Sequence, residues 1–208
     1  MIIIIDYDTG NTLNVQKALD HVGLANKISA DPDEIRTASG LILPGVGAFA
    51  LAMKELKQRG LVSVIQEVAQ NGTPILGVCL GMQLLLEGSM ENGFTEGLGL
   101  IEGICEKLPD DPDLPVPHMG WNQLVVTEET YLTKDVDGKY VYFVHSYYAD
   151  CESEVIDAFA QYSIKIPGMI SKGNVYGTQF HPEKSSEAGL MILRGFKEVV
   201  DHVDFTSN

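Results

Sequence analysis

The chain has 208 residues, 45% hydrophobic and 21% charged, which suits one domain with a sizeable core and excludes a disordered chain. Its 29 acidic and 14 basic side chains give a formal net charge of −15, which argues against a nucleic-acid partner because phosphates need clustered Lys and Arg. The acidity has two accounts, a solvated surface or a basic docking partner.

Strand and helix signals alternate through the first half, which predicts a parallel sheet with helices on both faces. Residues 2–6 begin with the run Ile2-Ile3-Ile4-Ile5, as in a strand covered on both sides. Asp6, Asp8 and Asn11 follow at once, so this start has neither the basic flank nor the length of a signal peptide, and no later stretch approaches a membrane span. Residues 12–22 carry Leu13, Ala18, Leu19 and Val22 at helical spacing. A short strand over 40–43 ends in the turn Pro44-Gly45-Val46-Gly47, and helices are predicted over 48–59 and 61–71, the second stopped by Gly72-Thr73-Pro74. A strand over 74–78 and an amphipathic helix over 82–87 follow. The chain then turns glycine-rich, and 100–108, 123–127, 140–144, 155–161 and 169–180 read as strands and hairpins, with Lys172-Gly173-Asn174 as a turn. Residues 110–115 read as an exposed loop, 117–122 as another, and 165–171 as a generic hairpin without functional signal. A helix over 187–203, striped by Leu190, Leu193, Phe196 and Val200, closes the chain. Without repeat or linker, residues 1–208 read as one domain.

Three widely spaced cysteines, Cys79, Cys105 and Cys151, suggest the reduced thiols of a cytoplasmic protein, and no cluster has zinc-ligand spacing. Cys79 stands apart. It lies in Pro74-Ile75-Leu76-Gly77-Val78-Cys79-Leu80-Gly81-Met82-Gln83, where a buried strand runs into a turn between two glycines and then into a helix. This is the sulfur counterpart of the G-x-S-x-G nucleophile elbow, which exposes a nucleophile at the carboxyl end of a strand. The partial positive charge of a helix start favours thiolate. The alternative is a small hydrophobe in a buried strand. A second segment, Val175-Tyr176-Gly177-Thr178-Gln179-Phe180, reads as a strand leading to His181-Pro182-Glu183. The proline forces His181 into an extended conformation, where residues i and i+2 point the same way. Glu183 can then hold one imidazole nitrogen while the other faces a sulfur, the base-and-orienter half of a Cys-His-acid triad.

Gly77-Val78-Cys79-Leu80-Gly81-Met82-Gln83 together with Gln179-Phe180-His181-Pro182-Glu183 resembles the signature of class I (triad) glutamine amidotransferases. With Pro44-Gly45-Val46-Gly47, Pro117-His118-Met119-Gly120-Trp121-Asn122, Phe143-Val144-His145-Ser146-Tyr147 and Lys184-Ser185, nearly the whole chain is similar to the glutaminase subunits of imidazole glycerol phosphate synthases. The resemblance implies a single-domain α/β fold, flavodoxin-like, with a mixed, largely parallel open sheet and helices on both faces. It implies a triad of Cys79, His181 and Glu183, and an oxyanion hole using Leu80 with Val46 or Gly47. By residue type alone the glycine turn at Val46 reads as a plain strand-to-helix turn, a reading the resemblance reverses. Gln83, Ser146 and Tyr147 would surround glutamine; Glu91 would meet its ammonium or remain a solvated loop acid. His145 is read as structural. The resemblance further implies a separate (β/α)₈ cyclase that receives the ammonia, with no metal or other cofactor. Met119 and Trp121 would lie on a loop facing this partner, Asn11 and Asn14 on the same carboxyl-end face. Lys184 is either a solvated lysine or a contact to that cyclase. The rivals are the glutaminase of another synthase, a free-standing γ-glutamyl hydrolase, and an inactive glutamine-sensing domain.

Overall fold

The computed structural model describes residues 1–206. The apolar tetrads become strands β1 (Ile2–Ile5), then α1 (Thr12–His21), β2 (Asn26–Ser29), α2 (Pro32–Arg36), β3 (Gly40–Leu43), α3 (Phe49–Gln58), α4 (Leu61–Gln70) and β4 (Ile75–Val78). β1, β3 and β4 are buried at every position, as continuous apolar runs between two helical layers should be. Their side chains alternate between the layers. Ile3, Ile5, Leu41, Leu43 and Ile75 face a core built with α3 and α4, while Ile2, Ile4, Ile42, Leu76 and Val78 face one built with α1 and the C-terminal helix α6 (Ser186–Thr206).

After the single-turn helix α5 (Leu80–Leu84) come short strands β5 (Gly88–Ser89) and β6 (Thr95–Glu96), then β7 (Ile104–Lys107), β8 (His118–Val126), β9 (Tyr140–His145), β10 (Tyr147–Asp150), β11 (Ile156–Gln161), β12 (Lys165–Lys172) and β13 (Val175–Thr178). The main sheet has nine strands in the order β2-β1-β3-β4-β13-β12-β11-β8-β9. Its ladders are parallel from β2 to β13 and antiparallel from β13 to β9, so the sheet is mixed, with one parallel half. β10, β7, β5 and β6 form a second sheet of four strands, which contributes Cys105 and Ala149 to the α3/α4 core.

Several elements depart from the sequence reading. β2 holds one apolar residue, Ile28, and lies at an edge, so it lacks both an apolar run and a clear alternation. α2 is capped by Asp31, whose side chain accepts from the N–H groups of Asp33 and Glu34, with Pro32 in the first turn. The helix predicted over 82–87 instead covers Leu80–Leu84. Beyond it the carbonyls of Leu84, Leu85, Leu86 and Glu87 accept from the N–H groups of residues 97–101, which takes the place of a further helical turn. The strand predicted over 100–108 shrinks to Ile104–Lys107 because Leu100 and Ile101 donate to Leu85. Residues 118–122, predicted as loop, are strand: His118 to Gln123 pair in register with His145 to Tyr140. Residues 165–171 belong to β12, a buried strand between β11 and β13.

Candidate active site

Three sequence-distant turns converge because their strands are parallel neighbours. Register pairs Leu43 with Gly77 and Val78 with Thr178, so the turn after β3, Cys79 after β4 and His181 after β13 emerge from the same carboxyl-end edge. They open onto a cavity of about 380 Å³ whose lining includes Val46, Gly47, Cys79, Leu80, Gln83, Glu91, His145, Ser146, Tyr147 and His181. Every residue read from the sequence as catalytic, oxyanion-binding or substrate-binding lines it, except Glu183, which stands behind His181.

Cys79 adopts φ +56° and ψ −112°, a conformation that side-chain-bearing residues rarely hold. The strain of the elbow therefore sits on the nucleophile itself and not on the flanking glycines. Gly81 is required for a different reason: a Cβ there would lie 1.8 Å from the Leu43 carbonyl oxygen. The Cys79 N–H donates to the Thr178 carbonyl at 2.7 Å, fastening the elbow to the strand that delivers the histidine. Leu80 opens α5, where the first N–H groups have no intrahelical acceptor, so its N–H is free to meet an anion.

His181 and Glu183 are buried, with side chains 2% and 1% exposed. His181 Nδ1 lies 2.8 Å from Glu183 Oε1. His181 is extended, as the following proline requires, but Pro182–Lys184 is a 3₁₀ turn, so Glu183 reaches the ring through a turn and not as the i+2 residue of an extended segment. The other ring nitrogen, Nε2, is buried without a hydrogen-bond partner and interacts electrostatically with the Cys79 sulfur. Burial pushes the imidazole toward neutrality, but its pairing with Cys79 and Glu183 outweighs that and raises its pKa from 6.5 to about 9. The ring is therefore an imidazolium at neutral pH, able to give a proton to a leaving amine. The open Nε2 is the geometry of a general acid and base before substrate arrives.

Gln83, one turn beyond Cys79, uses both amide hydrogens internally. Its Nε2 donates to the Tyr147 carbonyl and to Gln179 Oε1, each at 3.0 Å, leaving Oε1 as its only group for a ligand donor. Glu91 is not a solvated loop acid: its Oε2 accepts from the Phe49 N–H at 2.8 Å, capping α3. On the opposite wall Gly47 has φ +96°, which a side chain resists, and Val46 is half exposed. The Tyr7 hydroxyl, its pKa pushed up by burial, donates to the Pro44 carbonyl at 2.6 Å and ties the glycine turn to β1. Sequence reasoning missed Tyr7 and Gln179. For Gln179 a signal existed: a neutral amide between Thr178 and Phe180 at the end of a strand, here wholly buried with its Nε2 directed to the Cys79 sulfur at 3.9 Å.

The residues expected at a partner surface are exposed or half-buried. Asn14 shares a surface hollow with Pro182, Glu183 and Ser186, Lys184 is exposed beside them, and Met119 and Trp121 are 62% and 52% exposed on β8. Trp121 is thus neither core nor loop; it projects from a strand, edge-on to Tyr142. Asn11 precedes α1 without capping it through its side chain.

The family model for glutamine amidotransferase class-I matches residues 3–198. The chain is a class I glutamine amidotransferase. It is 65% identical over 199 residues, 96% of each chain, to a protein of Listeria monocytogenes serovar 1/2a named imidazole glycerol phosphate synthase subunit HisH. A protein of Streptococcus gordonii with the same name is 58% identical over 200 residues, 96% of this chain and 97% of that one. Among solved structures, one described as a glutamine amidotransferase superposes with TM-score 0.76 over 97% of this amidotransferase and 100% of that chain, at 18% identity. The structure of PurLQS from Thermotoga maritima superposes with TM-score 0.73 over 95% and 97%, also at 18% identity, and these likenesses speak to the fold alone. A class I amidotransferase hydrolyses glutamine, and the Cys-His-Glu triad is the chemistry for it.

Proposed function

We propose that this amidotransferase is the glutamine-hydrolysing subunit of an imidazole glycerol phosphate synthase. In this reading residues 1–208 act as one domain, in the cytoplasm, and deliver ammonia to a separate (β/α)₈ cyclase subunit. The observation that carries it is 65% identity along 96% of both chains to a relative of that name, with the triad residues present and clustered.

The Cys79 thiolate attacks the side-chain carbonyl carbon of glutamine, and the carbonyl oxygen becomes an oxyanion. The Leu80 N–H, with an N–H from the Val46–Gly47 turn, receives it. The His181 imidazolium gives its proton to the amide nitrogen as the C–N bond breaks, releasing ammonia and leaving a glutamyl thioester. The now neutral His181 takes a proton from water, the hydroxide attacks the thioester, and glutamate leaves as Cys79 returns to thiolate. Water and glutamine thus yield glutamate and ammonia. Glu183 holds Nδ1–H throughout and stabilises the imidazolium. Glu91 and the Gln83 oxygen receive the substrate's α-ammonium, while Ser146 and Tyr147 shape the wall. Asn11, Asn14, Met119, Trp121 and Lys184 form the rim on which the cyclase docks.

The test is to co-express the chain with a cyclase subunit and measure glutamate and imidazole glycerol phosphate together. Co-purification and equimolar products are the expected result. Full glutamine hydrolysis by the isolated chain, with no cyclase bound, would instead make it a free-standing hydrolase.

A further inference from the structure

β8 turns two kinds of side chain to its two sides. Met119 and Trp121 point outward and are exposed, whereas His118 and Asn122 point inward. The inward pair begins a run of hydrogen bonds that the glutaminase mechanism does not use. Asn122 Nδ2 lies 2.9 Å from the Gln161 carbonyl and 3.2 Å from His118 Nε2. His118 Nδ1 lies 2.9 Å from His145 Nε2, and His145 Nδ1 lies 2.8 Å from the Tyr147 carbonyl.

The carbonyls fix which way every proton points. Gln161 and Tyr147 offer only acceptors, so Asn122 must present its amide nitrogen and His145 must carry its proton on Nδ1. The Asn122 orientation is set a second time, because its Oδ1 accepts from the Gln123 N–H at 2.8 Å. A neutral His145 with Nδ1–H has a bare Nε2, so His118 must donate from Nδ1. Its own Nε2 is then bare and accepts from Asn122. Each ring thus takes the tautomer its neighbour requires, and the three bonds between Asn122 and Tyr147 are all donated toward Tyr147. Burial lowers the pKa of His118 to about 4 and that of His145 to about 3, so neither ring gains the second proton that would set two donors against each other. His118 is held in place by stacking between Phe143 and Tyr162, with ring centroids at 4.7 and 4.1 Å.

The chain ends on the glutamine cavity. The Tyr147 carbonyl also accepts from Gln83, which donates to Gln179, which reaches the Cys79 sulfur. We propose that Asn122 and His118 are positioning residues for glutamine hydrolysis, acting by holding His145 in the Nδ1–H tautomer and so fixing the Tyr147 carbonyl and Gln83 at the cavity wall. The functional part of this inference rests on the glutaminase reading; the tautomer part does not.

The experiment has two arms on the full chain. Imidazole ¹⁵N spectra of the ¹⁵N-labelled wild type should show His118 and His145 each protonated on Nδ1 and bare on Nε2. Asn122→Asp places an acceptor against His118 Nε2 and should either protonate that nitrogen, charging His118, or move the proton of His145 off Nδ1. An Nε2–H tautomer at His145 in the wild type, or spectra unchanged in Asn122→Asp, would overturn the proposal. In the kinetic arm, run on the complex with the cyclase, His118→Leu removes the donor to His145 and the acceptor for Asn122 and should raise KM for glutamine about fivefold with kcat nearly unchanged. His118→Asn keeps a donor near the Nδ1 position and should restore KM. Equal damage in both variants would make His118 a packing residue only, as would no change in either. An inactive wild-type complex with the cyclase would count against the glutaminase reading, while the spectra would still decide the tautomers.

Discussion

Glu183→Gln is the most searching change at the triad, because it removes a charge while nearly preserving shape. In the wild type the carboxylate accepts from His181 Nδ1 at 2.8 Å inside a buried pair. Burial pushes His181 toward neutrality and is overcome by Cys79 and Glu183 together, which raise its pKa from 6.5 to about 9. A rise of that size is about 3 kcal/mol of preference for imidazolium in the folded protein. Because the folded pKa is the raised one, this stabilisation is complete below pH 6.5 and is lost as pH climbs through about 9. The glutamine amide would aim an N–H at Nδ1, which favours the tautomer with Nδ1 bare and Nε2 protonated toward the sulfur. A neutral ring in that tautomer cannot take the proton that passes between sulfur, amine and water. Glutamate release at neutral pH should fall by about 10²–10⁴-fold, and the alkaline limb of kcat should move to lower pH. Across the same interval the wild-type melting temperature should drop more than the variant's, by up to about 6–12 °C if that stabilisation is lost in full. A variant keeping the wild-type alkaline limb and a rate within about tenfold of it would refute the role given to Glu183.

Cys79→Ala should abolish glutamate release while the assembled synthase still turns over with ammonium salt; surviving glutamine-dependent turnover would remove Cys79 as nucleophile. Gly81→Ala should cost at least about 1–3 kcal/mol in thermal unfolding and most of the activity, since the added methyl meets the Leu43 carbonyl and pushes the elbow from the glycine turn. A fully stable, active variant would contradict that contact. Lys184→Ala, at an exposed site beside the triad turn, should leave the basal glutaminase intact and lower the imidazole glycerol phosphate formed per glutamate, because a rim charge acts on docking. An unchanged ratio and subunit affinity would return Lys184 to the solvated surface. Phe196→Ala in the α6 core should lose about 3–5 kcal/mol of stability with kcat retained, checked by denaturant titration and glutamate assay.

By itself the sequence determined three central strands of the parallel half and the identity of the triad. Ile2–Ile5, Gly40–Leu43 and Ile75–Val78 are runs whose apolar content forces burial on both faces, and the Gly77–Gly81 elbow and His181-Pro182-Glu183 announce their chemistry through local spacing. What only the tertiary structure decided depends on pairings between distant residues. β2, β5 and β6 are too short and too polar to show a period, and α5 stops after one turn because residues 97–101 occupy the next carbonyls. Glu91 is a helix cap only because α3 comes to meet it, and Trp121 projects from a strand only because β9 pairs beside it. The strain on Cys79 was equally invisible, since it arises where the Thr178 carbonyl and the close approach of Gly81 to β3 fix the elbow. Local spacing reveals which residues carry the chemistry; the register of parallel neighbours decides that they meet.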